Sequence, residues 1–307
     1  MPGDLALPGL GLAGTEWEAV VRRAAAVLHL GAEVHHLSGF HHLEAANVRG
    51  TAELLRIAAE GRPARFHHVS TLGVFRDGPP GARPRTVTEA TSTAGERHPR
   101  GRGYAAGKWA AEQLVAQALD RGADARIYRL GRAGGSTTGA VSADDFLSRL
   151  LVTSAALGCH PDDTRLATDA LPVDTMARAV VALALADGRP GAVHHLHHPR
   201  RTPLSGLLAV HDRRTGRTTA AIGLATWLRR LAEAEAEAGP AAEATLPALA
   251  YREHLRDLGD DPAAGRLEHR NDATLAALRT LGITPPALDD ALVGRWWENL
   301  DRSTRDD

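Results

Sequence analysis

The stretch RFHHVST, residues 65–71, is the second of four short, mainly apolar runs that decide the fold of this chain. The other three runs are Ala26–Ala32, Ala125–Gly131 and Ala192–His197. Short apolar runs of this kind are typical of strands that are buried on both faces of a parallel sheet. Because helical segments separate the runs, we predict an α/β fold built from right-handed crossovers.

Three helices are predicted to follow the first strands. They span Leu43–Glu60, Tyr104–Arg121 and the segment from Pro172 to about Asp187, and a glycine ends each of the first two. Asp174 is predicted to cap the first amides of the third helix. After Pro199 no further strand is predicted, and helical segments follow at Leu224–Ala238, Asp272–Leu281 and Leu288–Leu300.

The charge balance excludes some classes of partner. The chain has 307 residues, with 36 Lys+Arg against 37 Asp+Glu, so no basic field is available for nucleic acid or an anionic membrane. The single cysteine, Cys159, excludes an internal disulfide and is expected to be a small buried residue. We expect no signal peptide, because the first 11 residues lack a basic region followed by an apolar run. No run approaches the roughly 18 apolar residues of a membrane span. These features predict a soluble, cytoplasmic protein.

The only lysine of the chain, Lys108, lies four residues after Tyr104. One helical turn separates the two positions, so the ammonium can approach the phenol and lower its pKa, which would make Tyr104 a general acid or base. The alternative is an exposed surface pair. Thr71 ends the second strand, where open α/β sheets place their ligands, and is predicted to bond a reacting carbonyl oxygen. Its alternative role is that of a turn cap.

Two other features invite a functional interpretation. The segment Arg76–Gly103 is rich in Gly, Pro and Arg without periodicity, and a loop of that length is typical of a functional flap. The 16 histidines include several adjacent pairs. Neighbours in a strand point to opposite faces, so such a pair does not readily bind one ion, and we expect no metal site.

Three ordered segments carry a resemblance to a known family. They are HHVSTLGVF (67–75), GYAAGKW (103–109) and YRLGR (128–132). Together they resemble the extended short-chain dehydrogenase/reductase family, and are most similar to the thioester reductase domains that terminate nonribosomal peptide and polyketide assembly lines and carboxylic acid reductases. Supporting stretches are Gly3–Leu5, His29–Ala32, Ala46–Thr51, Gly134–Gly139 with Asp145, and Pro172–Asp174. The resemblance covers Gly3 to about Pro199.

The resemblance implies a Rossmann-like, doubly wound parallel sheet with a smaller, mainly helical substrate subdomain. It assigns residues 1–140 and 172–199 to the catalytic and cofactor domain, and residues 141–171 and 200–307 to the helical subdomain. The implied activity is the NADPH-dependent reductive release of an acyl or peptidyl thioester from the phosphopantetheine arm of a carrier protein, to an aldehyde or further to an alcohol. NADH is compatible with the same fold.

The family's roles carry over to matching positions. Thr71 would hold the substrate carbonyl, Tyr104 would protonate its oxygen, and Lys108 would tune Tyr104 and hold the nicotinamide ribose. The cofactor-binding residues implied in this way are Asp4, Leu5, Gly31, Ala32, Asn47, Tyr104, Lys108, Leu130 and Arg132. The histidines of the loop 35–42 would border the substrate entrance.

The sequence departs from the family pattern at its start. The family opens with a strand and a glycine-rich turn that receives the pyrophosphate. Gly9–Gly14 matches G-x-G-x-x-G only superficially, because no strand fits before it. By the resemblance, the sequence begins near the end of the third strand and lacks two βαβ steps, about 60 residues. Ala26–Ala32 would then form an exposed apolar edge.

Three explanations of this departure remain open. The protein could begin upstream of Met1, the chain could be a truncated, cofactor-independent homologue that performs non-redox release or cyclisation, or it could be a remnant that only binds a carrier protein. Smaller departures are Leu30, where an asparagine is usual, and Leu130, where a proline is usual.

Overall fold

The computed structural model describes residues 2–34, 38–61, 63–76, 78–80, 83–96, 103–186, 188–239, 242–253, 255–256, 264–265 and 267–303. The strands in this part of the chain are β1 (Ala26–His29), β2 (Arg65–Thr71), β3 (Gly78–Pro80), β4 (Arg85–Val87), β5 (Ala125–Leu130), β6 (Ala133–Gly134), β7 (Cys159–Pro161), β8 (Leu171–Pro172), β9 (Val193–Leu196), β10 (Ala220–Ile222), β11 (Ala264–Gly265) and β12 (Leu267–His269). The helices are α1 (Gly14–Arg23), α2 (Phe40–Glu44), α3 (Gly50–Glu60), α4 (Gly103–Asp120), α5 (Phe146–Leu157), α6 (Val173–Leu185), α7 (Leu204–Thr215), α8 (Leu224–Ala238), α9 (Ala242–Thr245), α10 (Asp272–Thr280) and α11 (Asp290–Ser303).

A parallel sheet with the strand order β1-β2-β5-β9 forms the centre of the fold. On one face, Phe66 of β2 packs in a core with Ala58 of α3 and Val115 of α4. On the other face, Val69 of β2 packs with residues of α6 and α10, among them Leu183. Side chains alternate between the faces of a strand, so both faces of this sheet are buried. The predicted α/β, doubly wound, Rossmann-like architecture is confirmed.

Strand β1 lies at the edge of this sheet. It pairs with β2 through four residues, and among the described residues no strand pairs with its other side. Leu28 is 39% exposed and Leu30 is 56% exposed, so the edge is apolar as the sequence predicts. An unpaired apolar edge of this kind is a template for pairing with another segment.

A second hydrophobic core lies among the helices that follow β5. Helices α5, α7, α8 and α11 contribute to it Leu150, Leu207, Trp227 and Trp297, each at most 2% exposed. Helix α8 has the predicted bounds. Helices α1, α5 and α7 are not predicted from the sequence, because α1 is largely exposed and the other two have weak apolar periodicity.

Several predictions about local structure are wrong in detail. The strands predicted to end at Ala32, Gly131 and His197 end earlier, because hydrogen-bonded pairing stops before the apolar runs do. The prediction of no strand after Pro199 is wrong. Strands β10, β11 and β12 lie there, and β3 and β4 lie in the predicted loop, where they pair with β11 and β12. Strands of two or three residues are too short to show a period.

The predicted cap at the start of the third helix is also different. Pro172 occupies the N-cap position of α6, and Asp174 lies inside the first turn. The Asp174 carboxylate accepts hydrogen bonds from the Thr137 backbone N–H at 3.0 Å and from the Thr137 hydroxyl. These bonds, together with one from the Thr175 backbone N–H, hold its pKa below the usual range. Asp174 therefore ties the loop after β6 to α6.

Candidate active site

Lys108 is buried where helix α4 crosses the carboxyl end of the sheet. Lys108 is 2% exposed to solvent. Its Nζ donates a hydrogen bond to the carbonyl oxygen of Val69 in β2 at 2.8 Å. Burial lowers the pKa of this ammonium to about 8, while the carboxylate of Glu112 on the same helix raises it. The alternative of an exposed surface lysine is therefore wrong.

Tyr104 lies in the first turn of α4, one helical turn before Lys108. Burial raises the pKa of its phenol. The prediction that Lys108 lowers this pKa is therefore wrong. Desolvation penalises the phenolate, and the Lys108 ammonium is bonded to the Val69 carbonyl oxygen. At neutral pH Tyr104 carries its proton, which suits a proton donor better than a base.

Thr71 lies at the carboxyl end of β2, beside the start of α4. Its Oγ1 accepts a hydrogen bond from the Gly73 backbone N–H at 3.1 Å and so caps the short turn Leu72–Val74. A Cβ atom built on Gly73 would lie 3.4 Å from Thr71 Oγ1 and 4.0 Å from the Cβ of Ala105, which adjoins Tyr104. The capping alternative is thus realised, and because the bond uses Oγ1 as an acceptor, the hydroxyl hydrogen can still be donated.

Asn47 connects the loop after β1 to helix α4. Its Oδ1 accepts a hydrogen bond from the Glu33 backbone N–H at 2.8 Å, and its Nδ2 donates to the Glu33 carbonyl oxygen at 2.9 Å. A Cβ atom on Gly107 would lie 3.4 Å from the Asn47 Cβ, so the absence of that atom permits the close packing. Asn47 lies in the π-helical turn Ala45–Arg49, a geometry that is frequent at functional sites.

The remaining predicted cofactor residues divide into two groups. Gly31 and Ala32 follow β1, and Leu5 packs on Gly31, where an added Cβ would approach the Leu5 side chain to 2.7 Å. Exposed Asp4 accepts a hydrogen bond from the backbone N–H of Ala6 at 2.8 Å. These residues lie at the β1 end of the sheet.

The second group lies after β5. Leu130 packs against the core that contains Val69 and Tyr128. The Arg132 guanidinium lies 4.9 Å from the ring centroid of Phe146 at the start of α5. The structure therefore gathers Thr71, Tyr104, Lys108 and Asn47 around the start of α4, and Arg132 contacts the helical part of the chain instead.

A family of known proteins matches more than half of this chain. The family profile described as Male sterility protein, which is an NAD-binding domain, matches residues 1–180. The chain belongs to this family. The male sterility family is part of the extended short-chain dehydrogenases/reductases, so the resemblance found in the sequence is confirmed. Membership implies a nicotinamide cofactor.

Individual members of the male sterility family and solved structures are similar over most of the chain. The terminal R domain from the myxalamid PKS-NRPS biosynthetic pathway has 28% identity and a TM-score of 0.83, over 98% of this chain and 74% of that one. An isonitrile lipopeptide synthase of Streptomyces coeruleorubidus is 35% identical over 97% of this chain and 20% of its own length. The L-2-aminoadipate reductase large subunit of Penicillium chrysogenum is 34% identical over 64% of this chain and 15% of its own length. This chain thus spans a fifth or less of these two relatives.

The residues at the start of α4 fit the nicotinamide end of the cofactor that this family binds. The Lys108 ammonium and the Thr71 hydroxyl lie near the carboxyl end of β2, and Tyr104 precedes Lys108 by one helical turn. The G-x-G-x-x-G match does not provide a phosphate cradle, because the Glu16 carboxylate accepts a hydrogen bond from the Ala13 backbone N–H at 3.0 Å at the start of α1. No strand precedes this helix among residues 2–13.

The sequence patterns do not predict a role for two buried charged residues near Lys108. Glu112 and Arg129 form an ion pair at 2.8 Å, and their side chains are 1% and 4% exposed. Glu112 continues the four-residue spacing of Tyr104 and Lys108, a signal that could have identified it. Arg129 lies in a strand that is otherwise buried, where a charge requires a partner.

The described residues restrict two further interpretations. In this part of the chain no group of three or more His, Cys, Asp or Glu side chains is placed to hold a metal ion. Likewise, none of the described helices has the length and hydropathy needed to cross a membrane. His35 and His36, predicted to border the substrate entrance, and residues 77, 81–82 and 97–102 of the predicted flap lie outside the described residues.

Substituting Gly103 by alanine is expected to displace Tyr104. A Cβ atom at this position would lie 2.3 Å from the Ser38 carbonyl oxygen and 2.5 Å from the Gly39 carbonyl carbon, so the start of α4 has to shift. Misplacing a catalytic group by about 1 Å costs about a hundredfold in rate. We expect Gly103→Ala to lower kcat by at least about tenfold in a nicotinamide-dependent reduction assay. The control is Gly14→Ala at the start of α1, since nothing lies within 4 Å of the added atom. Equal rates for the two variants contradict this expectation.

Proposed function

We propose that this chain reduces a carrier-protein-bound acyl or peptidyl thioester to an aldehyde, with NADPH as the reductant. The observation that carries the proposal is the buried Lys108 ammonium, bonded to the end of β2 one helical turn from the protonated Tyr104. The names of the relatives support the substrate class, because they include a lipopeptide synthase and an R domain of a PKS-NRPS pathway.

Each residue of the site has a role in this proposal. When bound, NADPH supplies two electrons and a hydrogen nucleus to the thioester carbonyl carbon. The Thr71 hydroxyl donates a hydrogen bond to the carbonyl oxygen, and Tyr104 donates its proton to the same oxygen as negative charge develops there. Lys108 would hold the ribose of the bound cofactor and would stabilise the phenolate left on Tyr104. Asn47 holds the backbone at Glu33, which keeps the loop after β1 in place.

The remaining steps complete the balance of the reaction. The tetrahedral hemithioacetal loses its thiol, so the carbon–sulfur bond breaks and an aldehyde forms. In total, one thioester, one NADPH and one proton give one aldehyde, one thiol and NADP⁺. Tyr104 regains its proton from solvent. A second reduction of the aldehyde to an alcohol needs the same groups and a second NADPH.

Binding of NADPH to the chain tests the first requirement of the proposal. We expect NADPH to quench tryptophan fluorescence with a micromolar Kd, and Lys108→Met to weaken that binding by about tenfold or more, since it removes the only buried ammonium. NADH, titrated in parallel, compares the two nicotinamide cofactors. Arg22→Met is the matched control, because it removes a cation that is 67% exposed on α1. No binding below millimolar NADPH contradicts the proposal.

Turnover tests the proposed chemistry itself. An acyl thioester of pantetheine is incubated with the chain and NADPH, the absorbance of NADPH is followed, and the aldehyde is trapped as a hydrazone. We expect one aldehyde for each NADPH oxidised and for each thiol released. Loss of the thioester at the same rate without NADPH would instead indicate non-redox release.

A further inference from the structure

The ion pair Glu112–Arg129 connects four parts of the molecule next to Lys108. Arg129 lies in β5, and its Nε and Nη2 donate to the Glu112 carboxylate at 3.0 and 2.8 Å. Its Nη1 lies 3.3 Å from the Thr91 carbonyl oxygen and 3.3 Å from Nε2 of His195 in β9. A guanidinium with this many acceptors is held in one orientation.

The same carboxylate anchors the segment of residues 88–96 to helix α4. The Thr93 hydroxyl donates to the Glu112 carboxylate at 3.2 Å, and the Thr93 carbonyl oxygen accepts a hydrogen bond from Trp109 Nε1 at 2.8 Å. Gln113 Nε2 donates to the Thr93 hydroxyl at 3.1 Å. Trp109, Glu112 and Gln113 occupy the turn of α4 that follows Lys108, so the segment is fixed directly beside that lysine.

We propose that Glu112 and Arg129 are a positioning pair that holds Lys108 and the segment 88–96 in place for the reaction. This inference rests on the role of Lys108 in the proposed function. Glu112 lies one helical turn after Lys108 and supplies the negative charge nearest to its ammonium on α4. Arg129 pairs with that carboxylate at 2.8 Å and so compensates a negative charge that is buried.

The electrostatic surroundings of Lys108 give the pair a measurable effect. Burial lowers the pKa of Lys108 to about 8, and Glu112 opposes this shift. Two other titratable groups interact with the ammonium, His68 on β2 and His29 on β1, and the pKa of each is lowered, mainly by burial and further by the Lys108 charge. Removing the Glu112 charge therefore lowers the pKa of Lys108, and the ammonium loses its proton at a lower pH.

The single lysine makes the experiment direct. The full chain is labelled with lysine carrying ¹³C at Cε, so that Lys108 gives the one lysine side-chain resonance, and its pKa is read from an NMR titration. We expect a pKa of about 8 in the unmodified chain. Glu112→Gln keeps the shape of the side chain and is expected to lower it by about one pH unit. Arg129→Gln removes the positive charge that offsets the Glu112 carboxylate, so we expect it to shift the pKa of Lys108 upward, opposite to the effect of Glu112→Gln.

A matched control and a second readout separate positioning from general stability. Glu89→Gln removes another carboxylate from the segment 88–96, one that accepts hydrogen bonds from Thr274, and is expected to leave the pKa of Lys108 unchanged. In the thioester assay, activity falls as the pH rises through the pKa of Lys108, so Glu112→Gln moves this fall to lower pH. A merely structural role lowers kcat equally at every pH.

The outcomes also separate this inference from the proposed function. An unchanged Lys108 pKa in Glu112→Gln overturns the positioning pair, whatever the activity. If Glu112→Gln lowers the pKa of Lys108 but the unmodified chain does not oxidise NADPH at any pH, the proposed function is overturned. The effect of Glu112 on Lys108 then still stands. If Arg129→Gln does not fold, the shape-preserving Glu112→Gln variant still decides the question.

Discussion

Replacing Tyr104 by phenylalanine is expected to lower kcat for thioester reduction by a factor of about 10²–10⁴. The variant keeps the ring and loses the hydroxyl whose proton is donated to the carbonyl oxygen. Because burial raises the pKa of Tyr104, the phenol is protonated throughout the neutral range, and the substrate oxygen has no equivalent donor in the variant. Steady-state kinetics with a pantetheine thioester measures the loss.

A second tyrosine of this fold provides the control. Tyr128 is fully buried in β5, and its hydroxyl lies 2.9 Å from Nδ1 of His67. Tyr128→Phe removes a buried hydroxyl outside the proposed site, so we expect reduced stability with kcat within a few-fold of the unmodified chain. Tyr104→Phe is expected to keep its NADPH affinity and its Tm. A Tyr104→Phe variant with kcat within tenfold of the unmodified chain would falsify the assignment of Tyr104 as the proton donor.

Acidification from pH 7 to pH 4.5 is expected to unfold the chain, because several histidines are buried in their neutral form. Burial lowers the pKa of His29 to about 4 and that of His195 to about 3. Burial and then the positive charge of Arg129 favour the neutral form of His195, while the hydrogen bond to the Arg270 carbonyl oxygen opposes this pKa shift. The Nδ1 of His195 donates to the Arg270 carbonyl oxygen at 2.9 Å, and its Nε2 lies 3.3 Å from the Arg129 guanidinium, which can only donate.

The sign of the effect follows from proton linkage. Below the unfolded-state pKa of about 6.5, the unfolded chain binds protons that the folded chain excludes until its own, lower pKa is reached. The free energy of unfolding is therefore largest above pH 6.5 and falls as the pH drops toward 4. Each pKa unit corresponds to about 1.4 kcal/mol, so His29 and His195 each remove a few kcal/mol. A typical total stability is about 5–15 kcal/mol, and the combined loss at His29 and His195 is comparable with the lower part of this range. The other buried histidines whose pKa is lowered add to this loss.

Urea unfolding at pH 7.5 and pH 5.0 measures this effect. We expect the decrease in the free energy of unfolding between the two pH values to be about 2 kcal/mol smaller in His195→Gln, whose amide does not titrate. His41→Gln is the control, because the side chain of His41 is 79% exposed. If His195→Gln loses as much stability on acidification as the unmodified chain, His195 does not contribute to the acid sensitivity.

The sequence predicts those parts of the fold that depend on neighbouring residues. The four main strands appear as continuous apolar runs, and α8 as a periodic segment between glycines. Strands β4 and β12 have three residues each and lie about 180 positions apart in the sequence. Strands this short show no periodicity, so the sequence does not predict that they pair. The π-helical turn around Asn47 depends likewise on packing against α4.

The candidate site divides in the same way. The spacing of Tyr104 and Lys108 identifies two residues that the fold places near the carboxyl end of β2, where Thr71 also lies. The direction of the Tyr104 pKa shift is not available from spacing, because it depends on how deeply the helix is buried. The role of Arg129 cannot be predicted from the sequence either, because its partners Glu112, Thr91 and His195 are distant in the sequence.

Because Lys108 is buried in α4, proteolysis can measure how often this helix, which carries Tyr104 and Lys108 and is here called the catalytic helix, opens. An endoproteinase that cleaves only after lysine has a single target bond in this chain, between Lys108 and Trp109. That bond lies within α4, and a helix must unwind before a protease can bind it. The rate at which the chain is cut into two fragments therefore reports how often the catalytic helix opens, and a ligand that closes the site slows that cut.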